Sequence, residues 1–242
     1  MTQLFISDLH LDASRPAATE AFKELLATEA RSAERLYILG DLFEAWVGDD
    51  DDCDIGNEVA EALQDLHQHG TSCYFINGNR DFLINRGFAT KAGMHLLPEI
   101  ALIDLYGTRA VLMHGDLLCT DDKPYQRLRK VANNWFFQTA FQSLPLSLRH
   151  SIADKARNQS QEANTEKPEY IMDVNQEAVS RLLSTYDVNT LIHGHTHRPA
   201  VHHFEHNGTE ATRIVLGDWY EQGSILRWNK SGPSLDTVPY TA

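Results

Sequence analysis

A chain of 242 residues with a formal charge of −13 is long enough to bury a full hydrophobic core as one domain, and its acidic balance argues against holding long nucleic acids, because such a surface repels phosphate backbones. Three cysteines (Cys53, Cys73, Cys119) form no CxxC and leave an odd count, so the chain reads as a cytosolic protein with reduced thiols rather than a disulfide frame. No basic n-region precedes the first apolar run and no stretch of about 18 apolar residues occurs, so neither a signal peptide nor a membrane span is expected.

Gln3 to Ile6 predicts a first strand, followed by an Asp-Leu-His turn. Ala18, Phe22, Leu25, Leu26 and Ala30 then recur at helical spacing and predict a helix over roughly Ala17 to Ala33. Leu36 to Leu39 is a second strand. Glu58 to His69 carries Val59, Ala62, Leu63 and Leu66 on one face and ends at Gly70, a suitable helix stop. Cys73 to Ile76 is a third strand, and the alternation argues for a layered α/β domain with a largely parallel half-sheet.

After residue 95 the pattern changes. Ile100 to Leu105 and Arg109 to Met113, joined through Tyr106-Gly107-Thr108, predict a hairpin. Ala200 to Glu205 and Ala211 to Leu216 flank Asn207-Gly208, a two-residue turn signal, and Gly223 to Trp228 adds a further strand. The fold class expected is α/β, one domain over 1–242: two packed mixed sheets flanked by helices, the second sheet mostly antiparallel.

Residues 121–168 fit neither sheet. They lack strand-like alternation and are rich in aromatics: Tyr125, Trp135, Phe136, Phe137 and Phe141. Between 123 and 157 seven basic residues face the single acid Asp154, a window of +6 against −19 for the rest. The segment reads as a helical insertion placed over the site before a helix starting near Asp173. An ordinary helical cap or a dimer contact is the plainer alternative, since aromatic stripes are usually core.

The chemistry lies at strand ends. Leu36-Tyr37-Ile38-Leu39-Gly40-Asp41 puts a carboxylate beyond the carboxyl end of a strand, where open α/β sheets bind ligands. Four further apolar runs end in the same style, delivering Asp8 and His10, then Gly78-Asn79-Arg80-Asp81, then His114-Gly115-Asp116, then His193-Gly194-His195-Thr196-His197. One strand-end aspartate is usually a turn or cap residue, but five ends of one style are hard to assign to coincidence. The period-2 pairs Asp8-x-His10 and His195-x-His197 each present both side chains to one side of an extended segment. Asp8, His10, Asp41, Asn79, His114, His195 and His197 are the mixed oxygen and nitrogen donors of a pair of divalent ions, with Asp41 as the bridging carboxylate.

These five blocks, in this order, resemble the signature of the calcineurin-like metallophosphoesterases. Where most of that superfamily has histidine after the Gly-Asn of the third block, this chain has Arg80. An arginine is always charged and cannot act as a general acid, so it is expected to clamp phosphate oxygens and stabilise transition-state charge. With Gly48-Asp49-Asp50-Asp51, Cys119-Thr120-Asp121-Asp122, Asn158 to Asn164, Met172 to Gln176 and His195 to Pro199, the chain closely resembles the branch that hydrolyses the pyrophosphate of UDP-2,3-diacylglucosamine to UMP and 2,3-diacylglucosamine 1-phosphate in lipid A biosynthesis.

The resemblance implies two Mn²⁺ per chain, one held by Asp8, His10, Asp41 and His197, the other by Asp41, Asn79, His114 and His195. It implies a substrate site lined by Asn79, Arg80, Asp122, Ser160, Asn164, Lys167 and His195, with Asp41, Arg80 and His195 as the catalytic set. A diacylated substrate needs an apolar slot, which Trp135, Phe136, Phe137, Phe141, Leu144, Leu146 and Leu148 could form. Peripheral contact with anionic lipid on the cytoplasmic face of the inner membrane follows from such a substrate and the basic window. A general two-metal phosphodiesterase or nuclease is the enzymatic alternative, and a metal-free interaction scaffold is the non-enzymatic one.

Some stretches carry less. Asp50, Asp52 and Asp54 alternate with Glu61 at the twelfth position, but Ile55 stands where a calcium loop needs glycine, so a solvated acidic loop is expected. His193 is expected to pack or to orient a ligand. Ser160 follows no nucleophile elbow, and no Walker-type phosphate loop occurs.

Overall fold

The computed structural model describes residues 2–166 and 173–240, with the helical backbone alone for 160–166. Two sheets pack face to face. The first has the order β11-β10-β1-β2-β3-β4, built from β1 (Gln3–Ile6), β2 (Arg35–Ile38), β3 (Ser72–Phe75), β4 (Met94–Leu96), β10 (Gly223–Asn229) and β11 (Gly232–Val238). The second has the order β5-β6-β7-β9-β8, from β5 (Ile100–Leu105), β6 (Thr108–Met113), β7 (Thr190–His193), β8 (Ala200–His206) and β9 (Thr209–Val215).

The central strands read as unbroken apolar runs because both of their faces are covered. Leu4 and Ile6 of β1, with Leu36 and Ile38 of β2, pack outward against α1 (Pro16–Ala27), α2 (Asp54–Gln68) and α3 (Arg86–Lys91). The alternate residues Phe5, Tyr37 and Leu39 turn inward and meet Leu112, Ile192 and Ile214 between the sheets. Val111, Met113 and Leu191 form the outer face of the second sheet and pack on Val179 and Leu183 of α7 (Gln176–Tyr186).

Several expectations need adjustment. The first helix stops at Ala27, where Thr28 turns both its N–H and its hydroxyl onto the Glu24 carbonyl, and a short 3-10 turn, Ala30–Ser32, replaces the last predicted turn. The second sheet is mixed rather than mostly antiparallel: β7 runs parallel to both β6 and β9, and only the β5–β6 and β8–β9 hairpins are antiparallel. Both hairpins close through residue pairs at positive φ, Tyr106-Gly107 and Asn207-Gly208, the backbone that a two-residue turn of matching twist demands. The strand after β9 crosses over and joins the first sheet beside β1.

Residues 121–166 fold as α4 (Lys123–Ala132), α5 (Trp135–Gln142) and α6 (Leu146–Glu166). Two polar anchors fix them to the body. At one end the buried Asp116 carboxylate accepts from Arg129 Nε at 2.6 Å and the Tyr125 hydroxyl at 2.9 Å, and Arg129 also reaches Glu99. At the other, the Arg149 guanidinium grips both oxygens of Asp50 at 2.8 and 2.5 Å and donates to the Val47 carbonyl at 2.8 Å, while His150 meets Asp51 at 3.0 Å. The acidic loop therefore holds basic residues of the helices rather than standing free in solvent.

Candidate metal centre

The parallel strands β1, β2 and β3 of one sheet and β6, β7 and β9 of the other deliver their carboxyl ends to one edge of the sandwich, where their loops interlock. Asp8 N–H donates to the Gly40 carbonyl at 3.1 Å, His10 N–H to the Asp41 carbonyl at 2.9 Å, and Gly194 N–H to the His114 carbonyl at 2.7 Å. The approach is close enough to require glycine: a Cβ on Gly78 would lie 2.1 Å from Asp41 Oδ1, and one on Gly194 would lie 2.3 Å from Asp8 Oδ2. Asp8, His10, Asp41, His195 and His197 all hold φ between 49° and 70°, a left-handed conformation that L residues adopt at a cost of order 1–3 kcal/mol each. Such strain persists where surrounding contacts over-determine it, and here it gathers on the side chains with ligand chemistry.

The seven side chains selected as ligands, these five with Asn79 and His114, converge. His197 Nε2 lies 3.4 Å from Asp8 Oδ1 and 3.3 Å from His10 Nε2, and His10 Nε2 lies 3.8 Å from Asp41 Oδ2. On the far side of Asp41, His114 Nε2 lies 3.7 Å from its Oδ1, 2.8 Å from Asn79 Oδ1 and 3.2 Å from His195 Nδ1. His195 Nδ1 is 2.8 Å from the same Asn79 oxygen. Asp41 therefore presents one oxygen to each half of the cluster. Donor atoms within 4.8 Å of one another form two overlapping groups, Asp8, His10, His197 and Asp8, Asp41, His114, so Asp8 too is common to both halves.

The donors suit a cation. His114 Nδ1 is 2.8 Å from the Leu39 carbonyl, which needs a proton on that nitrogen and turns the Nε2 lone pair inward toward the Asn79 oxygen and His195. Acceptors would face acceptors there unless a proton or a metal ion stood among them. Asp8 Oδ1 is fully buried without a hydrogen bond, while Oδ2 accepts from Ser7 Oγ at 2.6 Å and the His195 N–H at 2.9 Å. Burial alone would lower the His114 imidazole, yet the Asp41 and Asp8 carboxylates outweigh it and raise it to about 9. Burial and the neighbouring His114 push His195 down to about 4. Burial likewise opposes the charged form of Asp8, but contact with His197 holds its carboxyl well below the usual range. Among the described residues the cluster attracts positive charge with no lysine or arginine side chain bonded to its ligand side chains, which suits a metal ion.

The other sequence-selected residues distribute differently. Asp81 turns away from the cluster and accepts from the Gly78, Asp41 and Leu42 N–H groups, stitching the β2 and β3 loops together. Burial and the nearby Asp41 push its carboxyl up to about 7. Asp116 serves the anchor described above. His193 is buried, with Nδ1 at the Gly194 carbonyl and Nε2 3.3 Å from Arg213, a packing role. Asp122 caps α4, accepting from the Tyr125 N–H at 3.1 Å. Lys167 and the side chains of Ser160 and Asn164 lie outside the described residues.

Arg80 donates its backbone N–H to Asp41 Oδ1 at 2.8 Å, and its side chain lines a cavity of about 290 Å³ that runs from Asn79 beneath α4, α5 and α6. Trp46, Phe82, Leu128, Phe137, Phe141 and Ile152 make its apolar wall. Of the seven apolar residues proposed for a slot, only Phe137 and Phe141 line it. Trp135 and Phe136 stand 67% and 75% exposed on the outer face instead.

Four residues at the cluster escaped the sequence reading. Glu44 Oε2 lies 3.0 Å from His10 Nδ1, and Asp218 Oδ2 lies 3.3 Å from His197 Nδ1. Tyr220 stacks on His10, and Arg15 sits over the Tyr220 ring. Asp218 had a signal: Ile214-Val215-Leu216-Gly217-Asp218 is a sixth apolar run ending in glycine and a carboxylate.

Comparisons with known proteins identify the family. The chain matches the calcineurin-like phosphoesterase family over residues 1–199. It is 50% identical to a UDP-2,3-diacylglucosamine hydrolase of Stenotrophomonas maltophilia over 245 residues, covering 98% of this chain and 99% of the relative. A protein of the same name from Photobacterium profundum is 50% identical over 241 residues (100% and 98% of the two chains), and one from Aeromonas hydrophila is 52% identical over 226 (93% and 94%). Among solved structures, a novel archaeal phosphodiesterase superposes with a TM-score of 0.51 at 10% identity, covering 98% of this chain and 100% of that one. The E. coli phosphoesterase Yfce superposes with a TM-score of 0.50 at 18% identity, covering 100% and 99%. The chain belongs to the calcineurin-like phosphoesterase family.

Proposed function

We propose that this chain hydrolyses the pyrophosphate bond of UDP-2,3-diacylglucosamine, releasing UMP and 2,3-diacylglucosamine 1-phosphate, a step of lipid A biosynthesis. The observation that carries the reading is the juxtaposition of the seven-residue cluster with an apolar cavity, joined at Asn79 and Arg80. A short phosphodiester needs the first feature only; an acylated sugar nucleotide needs both. Relatives of about 50% identity that bear the hydrolase name support the substrate class.

Asp8, His10, Asp41 and His197 would hold one divalent ion and Asp41, Asn79, His114 and His195 the other. Two Mn²⁺ are the pair that the family resemblance implies, and mixed oxygen and imidazole donors without thiolate can hold such divalent ions. Such a pair supplies Lewis-acid activation of the attacking water and neutralises charge on the attacking and leaving oxygens. The chain's own residues do the rest. Arg80, fixed at its backbone by Asp41, clamps a phosphate oxygen and stays charged throughout the reaction. The wall of Leu128, Phe137, Phe141 and Ile152 takes acyl chain, each buried methylene contributing about 0.8 kcal/mol. Ser160, Asn164, Lys167 and Asp122 are assigned to the sugar and phosphate.

Residues 121–168 act as a lid, and its exposed aromatics Trp135 and Phe136, together with the exposed basic residues Arg127 and Lys130, suit peripheral contact with anionic lipid on the cytoplasmic face of the inner membrane. Among the described residues no helix is long and apolar enough to cross a membrane. The test is UMP release from UDP-2,3-diacylglucosamine with Mn²⁺. Asp41→Asn and His114→Ala are expected to abolish release while circular dichroism stays native; full activity in either variant rejects the site.

A further inference from the structure

We propose that Arg213, far from the cluster on the outer face of the second sheet, is a positioning residue for the reaction: through His193 it fixes the Gly194–His195 peptide, and so holds both His195 and Asp8 in place. The inference rests on the function proposed above, in which those two side chains are ligands.

Arg213 is costly where it stands. Its neighbour on β9, Ile214, points between the sheets, so Arg213 points the other way, yet it is buried and its Nε has no hydrogen-bond partner. Among the described residues it makes no ion pair, and the nearby Asp173 lies 3.8 Å from Arg198 instead. A buried cation without a carboxylate partner lowers stability rather than adding to it. The bond it does make runs from Nη1 to His193 Nε2, at 3.3 Å.

That bond decides the tautomer of His193. A guanidinium only donates, so Nε2 carries the lone pair and the ring proton sits on Nδ1, which donates to the Gly194 carbonyl at 2.8 Å. The same carbonyl accepts the Thr196 N–H at 2.9 Å, in the turn where His195 holds φ 70°. At the other end of this peptide the His195 N–H donates to Asp8 Oδ2 at 2.9 Å. One peptide plane is thus held by His193 on its carbonyl and by Asp8 on its N–H. The ring also lies against the backbone that follows His114, since a Cβ on Gly115 would fall 2.8 Å from His193 Nδ1. Loss of Arg213 releases the imidazole to its other tautomer, which sets the Nδ1 lone pair against the Gly194 oxygen. The peptide then tilts, Asp8 loses its N–H, and His195 turns with it.

The experiment has a spectroscopic arm and a kinetic one. Long-range ¹H–¹⁵N spectra of the EDTA-treated full chain read the ring tautomer, with His193→Asn identifying the signal. The native chain and Arg213→Lys should show the proton on Nδ1, and Arg213→Met should show the Nε2 form or a mixture. In UMP release at saturating Mn²⁺, Arg213→Met should lower kcat by roughly 10–100-fold, with KM changed less than about threefold and Tm unchanged or raised. Arg213→Lys should recover most of the native kcat. His193→Asn keeps an amide donor for the Gly194 carbonyl, so adding Arg213→Met to it should cost nothing further. Leu183→Ala opens a cavity in the outer core and should show the reverse pattern, a lower Tm with native kcat. A native ring protonated on Nε2, native kcat in Arg213→Met, or a full further loss in the double variant overturns the proposal. If Arg213→Met does not fold, the native tautomer decides. A native chain that releases no UMP overturns the functional reading instead, and the tautomer still tests the hold on Gly194.

Discussion

Filling the cavity from its wall separates a lipid slot from a plain cap. Ala153 lies on α6 and lines the cavity together with Leu128, Phe137 and Phe141. Ala153→Trp projects an indole into that space of about 290 Å³ rather than into packed atoms, so the overpacking penalty of a filled core does not arise. The ring would displace acyl chain. If it costs four methylenes their burial, the loss is about 3 kcal/mol, or roughly 200-fold in kcat/KM for the acylated substrate. A short diester such as bis-p-nitrophenyl phosphate needs only the metal cluster and Arg80, and its turnover should change little. The assay compares both substrates in native and Ala153→Trp protein, with thermal melts confirming the fold. Equal losses on the two substrates, or none on the acylated one, would refute the lipid-slot reasoning.

Two further outcomes follow from the same geometry. His114 is raised to about 9 by Asp41 and Asp8, above the roughly 6.5 of an unfolded histidine, so its contribution to stability is complete below pH 6.5 and is lost as pH rises through 9. The EDTA-treated chain should therefore lose thermal stability between pH 6.5 and 9, and Mn²⁺ affinity should climb over the same window because the ion must displace that proton; a flat pH response of both quantities contradicts the assignment. Arg149→Met removes the α6 anchor, but its partner Asp50 is 61% exposed and rehydrates, which limits the cost to about 1–2 kcal/mol. That predicts a Tm drop of roughly 2–8 °C and a raised KM for acylated substrate; an unchanged melt would show that the anchor contributes nothing.

The strand ends were legible because both faces of each central strand are buried, which turns them into apolar runs, and because the residue after such a run sits at the sheet edge by geometry alone. Asp8, Asp41, Asn79, His114, His195 and His197 could be located that way, since each side chain follows its strand within a few residues. The left-handed backbone of Asp8, His10, Asp41, His195 and His197 could not, because it arises from loops of different strands bonding to each other. Glu44 and Tyr220 were hidden for a similar reason: their partners are His10 and His197, distant in sequence, and neither follows a recognisable motif. β4 spans only Met94–Leu96, and β11, at the sheet edge, contains Gly232 and Pro233, so neither carries strand propensity enough to stand out. The basic window of 123–157 was visible as charge, but its partners in the acidic loop, Asp50 and Asp51, appear only once α6 lies across them. The apolar wall shows the same limit. Aromatic composition pointed to the right segment, yet helical phase decides that Phe137 and Phe141 face inward while Trp135 and Phe136 face out.

The account stands on two ions sharing Asp41. The most direct measurement is anomalous diffraction at the manganese edge from crystals of the Mn²⁺-loaded chain. It should show two peaks, roughly 3.5–4 Å apart, one beside Asp8, His10 and His197 and one beside Asn79, His114 and His195, with the Asp41 carboxylate between them. A single peak, or peaks remote from Asp41, would contradict it.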